Sequence, residues 1–343
     1  MNSKNNLTTV TCHVQSDGIE DQIIGYHETQ ELEVGEADLH KCFIACKKNP
    51  GHRQFIPVDT FSLDHLPKDL QDNILYEYIK AVADLTVRVS VKLSSPGRPM
   101  FWPKTNQPYP FYNMIDSTNV RTGSGSVWKI YKFQDGVLQD GARQEKGIGK
   151  REYTHCWCRK CQDSDSPSQV WWEFYVYTAT HVVFDDIEAN NTTLRLFYDR
   201  EDSPVVSVDN VMVEDVSVED DLCRLNCVSC DKYLGDKLTK ISQVYFDVWE
   251  KVTNKYFGSR DKYKINFIVS HPHGCSKQVS VGQWKEKHKV GDRIKFSYTT
   301  CTCPGSSGAF VQCVGYSDKL WSDLVHSGSL RQDLNYSGAG FVF

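Results

Sequence analysis

The sequence of 343 residues has few of the features that suit a membrane or a nucleic acid. No apolar run approaches the roughly 18 residues that a membrane span requires, and the opening stretch MNSKNNLTTVTCH lacks the apolar core of a signal peptide. The 39 basic and 44 acidic residues give a net charge of -5 and form no long block. Because phosphate binding needs a clustered basic surface, we expect neither nucleic acid nor membrane as a partner. These absences predict a cytoplasmic protein.

Cysteine, by contrast, is plentiful. The chain has 13 cysteines, an odd number in a long sequence without a recognisable leader. Disulfide frameworks are typical of short secreted chains, so this pattern favours free thiols and metal ligands over bridges. The 40% of hydrophobic and 24% of charged residues are typical of a globular protein, and the length predicts one large or two moderate domains.

The first 95 residues form a predicted N-terminal α+β segment of unassigned role that is partly helical. HLPKDLQDNILYEYIKAVADL (65–85) carries apolar residues at spacings of about four, which predicts an amphipathic helix, and TVRVSVKL (86–93) alternates like a half-buried strand. Five prolines between residues 94 and 110 interrupt any helix or central strand. We therefore predict a domain boundary between the segment 1–95 and a domain spanning 110–343.

The second domain is rich in short β-like runs separated by turn residues, from GSVWKIYKF (125–133) to AFVQCVGYS (309–317). One helical stretch, DKLTKISQVYFDVWEKVTNKYF (236–257), separates the first five runs from the rest. Many closely spaced short strands predict sandwiches or barrels, and the helix divides them into two groups.

Two short motifs contain candidate catalytic residues. TATHVV (178–183) has a histidine at the end of an apolar run, and PGSSGA (304–309) has a serine between glycines. Serine hydroxyls become nucleophiles only beside an imidazole that a third group orients. Glycine beside the serine also suits a sharp turn whose N–H groups face a developing oxyanion. Ser307 is thus a candidate nucleophile, with the N–H groups of Gly305 and Ser307 as candidate oxyanion donors.

Several motifs resemble those of the chymotrypsin-like (trypsin-like) serine protease family. GSGSVWKI resembles the opening strand, TATHVV the histidine motif, DDLCRL the strand bearing the aspartate and CPGSSGA the nucleophile motif, while IVSHPHGCSKQVSVG and LVHSG resemble strands of the second barrel. The resemblance covers residues from about 110 to 343. It implies a mostly β chymotrypsin-like fold with two antiparallel six-stranded β-barrels after the N-terminal segment.

The resemblance also implies roles for three residues in a cleft between the barrels. His181 would be the general base, Asp221 its orienting carboxylate, with Asp220 and Asp215 as rivals, and Ser307 the nucleophile. The implied activity is that of a serine endopeptidase, which hydrolyses protein or peptide substrates through an acyl-enzyme and needs no catalytic cofactor. Phe310 stands where the family commonly has proline, so the alternative is a catalytically inactive protease-like binding module.

The substrate pocket is implied by the same resemblance. Cys301, six residues before the candidate nucleophile, would line its base. His326, in LVHSG, would stand on its wall and donate a hydrogen bond to a Glu or Gln side chain, unless this histidine faces elsewhere on its strand.

Two C-x-x-C steps predict a structural zinc site. Cys158 with Cys161 and Cys227 with Cys230 supply the four thiolates of a tetrahedral site, and Cys156 or His155 is an alternative ligand. Antiparallel pairing of the strands at His181 and Asp221 places Cys227 opposite about Tyr175, which brings the two pairs together. The alternative is that these cysteines are reduced and pack as small hydrophobes. His271 and His273, in HPHG, make a weak case for a second metal, because two histidines at that spacing more often bond to backbone.

Overall fold

The computed structural model describes residues 25–32, 38–139, 153–316 and 324–341. The strands in these ranges are β1 Tyr26–His27, β2 Glu31–Leu32, β3 Ile56–Pro57, β4 Thr86–Val91, β5 Val120–Gln134, β6 Val137–Leu138, β7 Val170–Thr178, β8 Thr192–Leu196, β9 Val206–Val208, β10 Val211–Ser217, β11 Leu222–Ser229, β12 Ile265–Ser270, β13 Gln278–Val290, β14 Arg293–Tyr298, β15 Val311–Cys313, β16 His326–Arg331 and β17 Leu334–Ser337. The helices are α1 Leu39–Ile44, α2 Asn73–Leu85, α3 Arg159–Gln162, α4 Asp186–Ala189, α5 Lys232–Tyr256 and α6 Arg260–Tyr263.

The strands form two antiparallel sheets. The first has nine described strands in the order β10-β11-β7-β5-β4-β8-β9, with β2 and β6 added along β5. The second has eight, in the order β1-β16-β17-β14-β13-β12-β15, with β3 added along β13. Their apolar faces are alternate residues of each strand, as in Val87, Val89 and Val91 of β4, which are all buried.

Two long helices pack against each other and against the first sheet. α2 begins at the cap Asp72, whose side chain accepts a hydrogen bond from the N–H of Ile74 at 3.1 Å, and buries Leu75, Ile79 and Val82 on one face. Asp231 caps α5 in the same way. None of the helices in the described ranges is both long and apolar enough to cross a membrane.

The predicted mostly β architecture is confirmed, with the described strands in two antiparallel sheets. The described sheets have more than the six strands predicted for each barrel. Strands from the N-terminal segment join both sheets, and the first sheet has seven further strands from residues 120–229. β4 pairs with β5 and β8 in the first sheet, and β1 and β3 lie in the second. The first sheet thus runs across the predicted boundary near residue 95. Within the proline-rich stretch, Trp102 and Tyr109 are buried.

Residues 25–32 connect the two sheets directly. β1 pairs with β16 in the second sheet, and β2, after three intervening residues, pairs with β5 in the first. Residues 28–30 therefore cross from one sheet to the other, and the candidate active site lies at this crossing.

Candidate active site

His181 and Asp221 contact each other at the start of β11. His181 lies just after β7, Asp221 lies just before β11, and these strands are antiparallel with Cys223 opposite Thr178. Nδ1 of His181 is 2.8 Å from Oδ2 of Asp221, and the His181 N–H donates to Oδ1 at 3.0 Å. The turn that sets this contact holds Asp221 at a φ of 55°, a left-handed conformation that Asp tolerates better than most residues.

The charge of this pair fixes the orientation of the imidazole. Burial alone would raise the pKa of Asp221, but the His181 ring, the nearby His27 and the hydroxyl of Ser327 hold it below its usual range. An ionised carboxylate only accepts hydrogen bonds, so Nδ1 of His181 carries the hydrogen and Nε2 is left with a lone pair. The rival Asp220 instead pairs with Arg293.

A buried ionic network holds the backbone of His181. Arg98 donates to both carboxylate oxygens of Glu188 at 2.7 Å, and Arg121 lies 2.9 Å from the same carboxylate. The guanidinium of Arg98 also donates to the carbonyl of His181 at 3.1 Å. Burial alone would raise the pKa of Glu188, but the Arg98 hydrogen bonds and the two guanidinium charges lower it. This network fixes the turn that carries the imidazole.

The loop of Ser307 is held against the first sheet. The N–H of Ser124 donates to the carbonyl of Ser307 at 2.8 Å, and its hydroxyl donates to the carbonyl of Gly305 at 2.8 Å. Gly308 has a φ of 86°, and a Cβ there would lie 2.8 Å from the nitrogen of Ala179. Glycine is thus required at position 308, where the loop of Ser307 passes close to Ala179, two residues before His181.

The predicted oxyanion donors lie in the turn that precedes and includes Ser307. Gly305 has a φ of 93°, in the left-handed region. The N–H of Ser306 donates to the carbonyl of Cys303 at 2.8 Å, whereas those of Gly305 and Ser307 have no acceptor among the described residues. Two free N–H groups on either side of Ser306 in a tight turn suit an anionic oxygen.

The hydroxyl of Ser307 and the imidazole of His181 both face residues 27 and 28 of the same chain. The Ser307 hydroxyl donates to the carbonyl of Glu28 at 3.5 Å. The His181 ring lies 4.6 Å from the ring of His27, and its buried Nε2 has no hydrogen-bond partner within the described part of the chain. The imidazole of His181 and the hydroxyl of Ser307 thus contact neighbouring residues of one segment, and they form no hydrogen bond with each other.

The side chain of Glu28 is buried in a polar pocket. Its carboxylate lies 2.9 Å from Nε2 of His326, accepts from the hydroxyl of Ser329 at 2.8 Å and pairs with the ammonium of Lys48. Lys48 is held in place by further hydrogen bonds to Thr302 at 3.0 Å and to Asn335 at 2.8 Å. Nδ1 of His326 is 2.7 Å from the hydroxyl of Tyr298.

The two residues predicted for the pocket differ in position. His326 lies on β16 and contacts Glu28, whereas the thiol of Cys301 donates to Gln54 at 2.5 Å and does not touch Glu28. Sequence reasoning missed Lys48 and Ser329. Ser329 was within reach, since it lies three residues after His326 on the same strand, but no motif around Lys48 indicates a pocket.

The cysteine cluster differs from the predicted set by one ligand. Cys156, Cys158, Cys161 and Cys230 have their sulfurs within 4.8 Å of one another. Cys227 is not among them, and Cys156, considered as an alternative ligand, takes its place. The reason is strand geometry: Cys227 lies within β11, three residues before Cys230, so the two side chains leave opposite faces. Pairing is also one residue off the prediction, with Cys227 opposite Phe174.

The four thiols fit a tetrahedral zinc ion. Two sulfurs bonded to one zinc at about 2.3 Å lie about 3.8 Å apart, and those of Cys158 and Cys230 are 3.7 Å apart. Cys158 and Cys161 meet because Cys158 precedes the short helix α3, in which Cys161 lies. Backbone N–H groups of Cys158 and Ser168 donate to the sulfurs of Cys156 and Cys161 at 3.4 and 3.5 Å. Burial raises the pKa of Cys230 to about 12, so binding a metal there would release a proton.

No protein-family model matches the chain, and no curated protein matches its sequence. Solved structures that resemble it include an HtrA-type protease, AlgW, with a tripeptide: the TM-score is 0.39, the identity 11%, and the alignment covers 77% of this chain and 58% of that one. The chain thus spans somewhat more than half of that structure. An inactive form of the Rv3671c protease is also similar, with a TM-score of 0.34, 11% identity and coverage of 78% and 90%. Both of these structures are proteases.

Proposed function

We propose that this chain is a serine endopeptidase with Ser307 as nucleophile, His181 as general base and Asp221 as the orienting carboxylate. One observation carries the proposal. An extended backbone segment crosses between the two sheets with the carbonyl of Glu28 against the Ser307 hydroxyl and the preceding ring against His181. A peptide carbonyl of the chain thus lies at the proposed nucleophile, and the residue before it lies against the proposed base.

The chemistry follows from the donor and acceptor roles. Ser307 Oγ attacks the peptide carbonyl carbon while its proton passes to Nε2 of His181, which the bond to Asp221 keeps free as a base. The carbonyl oxygen becomes an oxyanion that the N–H groups of Gly305 and Ser307 stabilise. The C–N bond then breaks, and His181 returns the proton to the leaving amine. Water hydrolyses the resulting ester by the same route in reverse.

The alternative is a catalytically inactive protease-like binding module, which Phe310 favoured at the sequence level. The ring of Phe310 is buried 6.3 Å from Trp128 and 6.0 Å from Tyr177, measured between centroids. It packs beneath the nucleophile loop and leaves the conformation of Ser307 to the glycines. This packing supports the peptidase over the module.

A fluorophosphonate probe tests the peptidase directly, because it labels only an activated serine. We expect labelling of the reduced, zinc-replete chain and of a Glu28→Ala variant with an emptier cleft, and complete loss in Ser307→Ala. Ser306→Ala is the matched control, since Ser306 is also buried but bonds Ser270 at 3.0 Å, and it should be labelled. If neither the wild type nor Glu28→Ala is labelled, and thermal melts show that both are folded, the inactive module is supported.

We also propose a structural zinc ion on Cys156, Cys158, Cys161 and Cys230. It would join the loop before β7 to the end of β11, away from the proposed nucleophile, and add to folding stability. Cys230→Ser should remove this zinc and lower the melting temperature, whereas Cys227→Ser should retain it. Zinc content that falls in Cys227→Ser and not in Cys230→Ser would contradict this ligand set.

A further inference from the structure

Residues 25–32 cross the cleft between the two sheets, beside the proposed nucleophile. We propose that this segment is an intramolecular substrate, that the chain cuts its own bond between Glu28 and Thr29, and that the pocket selects glutamate. The inference rests on the proposed function and adds the substrate class and the first bond cut.

The backbone of the segment is held on both sides of Glu28. Upstream, Tyr26 and His27 pair antiparallel with Ser329 and Gly328 of β16. Downstream, β2 pairs antiparallel with β5, and the side-chain amide of Gln30 donates at 3.1 Å to the carbonyl of His273, in the turn between β12 and β13. Added strands of this kind bind a peptide through its main chain and leave selectivity to side-chain pockets.

Glu28 lies at the centre of this arrangement in a pocket built for a carboxylate. Its carboxylate meets an imidazole, a hydroxyl and an ammonium, all three on side chains that are buried or mostly buried. A glutamine in its place would leave the Lys48 charge without a counterion in the pocket. Buried charged hydrogen bonds are the strong ones, so this contact discriminates between the two side chains.

His27, the residue before Glu28, covers the imidazole of the proposed base. Its ring is stacked on Trp102 at 4.8 Å and lies 4.6 Å from His181, while its Nδ1 is 3.0 Å from the carbonyl of Ser327. Burial, and then the neighbouring His181, lower the pKa of His27 to about 3, which keeps it neutral beside the base. A planar side chain therefore fits this subsite.

The cut itself follows the proposed mechanism. An ester forms between Ser307 Oγ and the carbonyl carbon of Glu28, the bond to the Thr29 nitrogen breaks, and that nitrogen leaves as an amine with the proton from His181. Hydrolysis of the ester yields a carboxylate at Glu28 and restores the Ser307 hydroxyl. Water is the only co-reactant.

Intact mass and N-terminal sequencing of the freshly made full chain test the self-cleavage. Over time the wild type should give a product that begins at Thr29, Ser307→Ala should give none, and Glu28→Gln should slow the cut at least tenfold. Glu219→Gln, at an exposed glutamate, is the control and should behave as wild type. A fluorogenic peptide with Tyr-His-Glu before the leaving group should be cleaved at least tenfold faster than its Tyr-His-Gln counterpart.

The results separate this inference from the proposed function. If the fluorophosphonate labels Ser307 but the chain stays intact and both peptides are cleaved equally, the peptidase stands and the inference is wrong. If neither labelling nor cleavage occurs, the proposed function fails first.

An independent cluster carries a second inference. We infer that Cys46, His52, His273 and Cys303 bind a zinc ion, a site distinct from the four-cysteine cluster. All four residues are buried, and their ligand atoms lie within 4.8 Å of one another. They come from three separate stretches of chain, so no sequence motif joins them.

The spacing matches tetrahedral coordination. The sulfurs of Cys46 and Cys303 are 3.6 Å apart, and Nε2 of His52 is 3.5 Å from the sulfur of Cys303. Around one zinc ion the expected separations are about 3.8 Å for two sulfurs and about 3.6 Å for a sulfur and a nitrogen. Two thiolates and two imidazoles are a common structural zinc set.

The groups around the cluster orient its ligands. Nδ1 of His273 is 2.6 Å from the amide oxygen of Gln30, which only accepts, so Nε2 carries the lone pair. That Nε2 is buried without a hydrogen-bond partner in the described ranges. Asn49 donates from its backbone to the sulfur of Cys46 at 3.4 Å and from its side chain to that of Cys303 at 3.1 Å. Such outer contacts are typical of metal sites.

A zinc ion here would fix the nucleophile loop. Cys303 lies four residues before Ser307, and the N–H of His273 donates to the carbonyl of Pro304 at 2.5 Å. The ion would therefore bind the N-terminal segment, through Cys46 and His52, to the turn that presents the oxyanion donors.

Elemental analysis of the chain purified without chelator tests the site. We expect about two zinc ions per chain, one for each cluster. Cys303→Ser and His273→Ala should each lose one of the two, Cys230→Ser should lose the other, and Cys313→Ser, at a buried cysteine outside both clusters, should lose none. Cobalt substitution of the wild type should show the visible bands of tetrahedral sites with two different ligand sets. A single ion that disappears only in Cys230→Ser, with one four-sulfur cobalt spectrum, would overturn the inference.

Discussion

The two sides of the cleft are built in different ways. The side that carries His181 and Asp221 comes from two strands paired in the first sheet, and its contacts join residues 40 positions apart. The pocket side joins Glu28 and Lys48 to β16, across separations of about 300 residues for Glu28 and His326. The reacting pair is thus set by one pairing of strands within the first sheet, whereas the pocket exists only when the N-terminal segment is in place.

This difference predicts two kinds of effect when residues are substituted. Changes on the side of His181 should alter the rate of reaction without altering which side chain the pocket accepts. Changes in the pocket should alter selectivity and leave the reactivity of the nucleophile intact. Each variant below changes one side of the cleft, so that its effect can be compared with the effect of changing the other side.

The largest effect is expected at Asp221. Asp221→Asn keeps the shape but replaces an acceptor with an amide that can hold the wrong tautomer of His181, and such a change lowers kcat by roughly 10⁴-fold. Asp220→Asn, at the neighbouring residue that pairs with Arg293, should cost far less. Hydrolysis of the fluorogenic glutamyl peptide measures both. Equal losses in the two variants would mean that Asp221 is not the orienting carboxylate.

The second-largest effect is expected on the free energy of unfolding, through the buried ionic network that holds the backbone of His181. Glu188→Gln leaves two buried guanidinium groups, of Arg98 and Arg121, without their carboxylate, and breaking a buried pair in this way costs about 3–5 kcal/mol of unfolding free energy. Because the folded pKa of Glu188 is lowered, its contribution is complete at neutral pH and is lost as the pH falls through that pKa.

Denaturant melts across pH measure this contribution. The difference between wild type and Glu188→Gln should be largest near pH 7 and should shrink in acid. The exposed variant Glu219→Gln should melt like wild type throughout. A difference that stays constant down to strongly acidic pH would show that the carboxylate charge is not the source of the stabilisation.

The two sides of the cleft also differ in how well the sequence predicts them. The β-rich pattern and the helix α2 carry a local signal, periodicity, although α2 begins eight residues later than predicted. Ser307 is marked by the glycines beside it, whereas the roles of His181 and Asp221 came from the resemblance of TATHVV and DDLCRL to family motifs. Lys48 and Glu28 carry none, because a lysine and a glutamate in polar stretches look like solvent-exposed residues until the fold buries them together. Cys227 was misassigned for a local reason, since the same C-x-x-C spacing brings thiols together at a helix start and separates them along a strand.

A smaller effect is expected on the pocket side. Lys48→Met removes the cation that faces Glu28 and should reduce cleavage of the glutamyl peptide by about 10- to 100-fold, the range for a buried charged hydrogen bond. The glutaminyl peptide and the fluorophosphonate rate should change little. Lys47→Met, at the exposed neighbour, is the matched control and should change neither. Parallel losses for both peptides in Lys48→Met would place this residue outside the selectivity of the pocket.

The smallest effect is expected beneath the nucleophile loop. Phe310→Leu keeps an apolar but smaller side chain against Trp128 and Tyr177 and should cost about 1–2 kcal/mol of unfolding free energy, from the cavity and the lost ring contacts. Fluorophosphonate labelling should stay within a factor of two of wild type, because the positive φ angles of Gly305 and Gly308 set the turn. Labelling that rises many-fold in Phe310→Leu would mean that the aromatic ring holds the loop in a less reactive conformation, and would return weight to the inactive module.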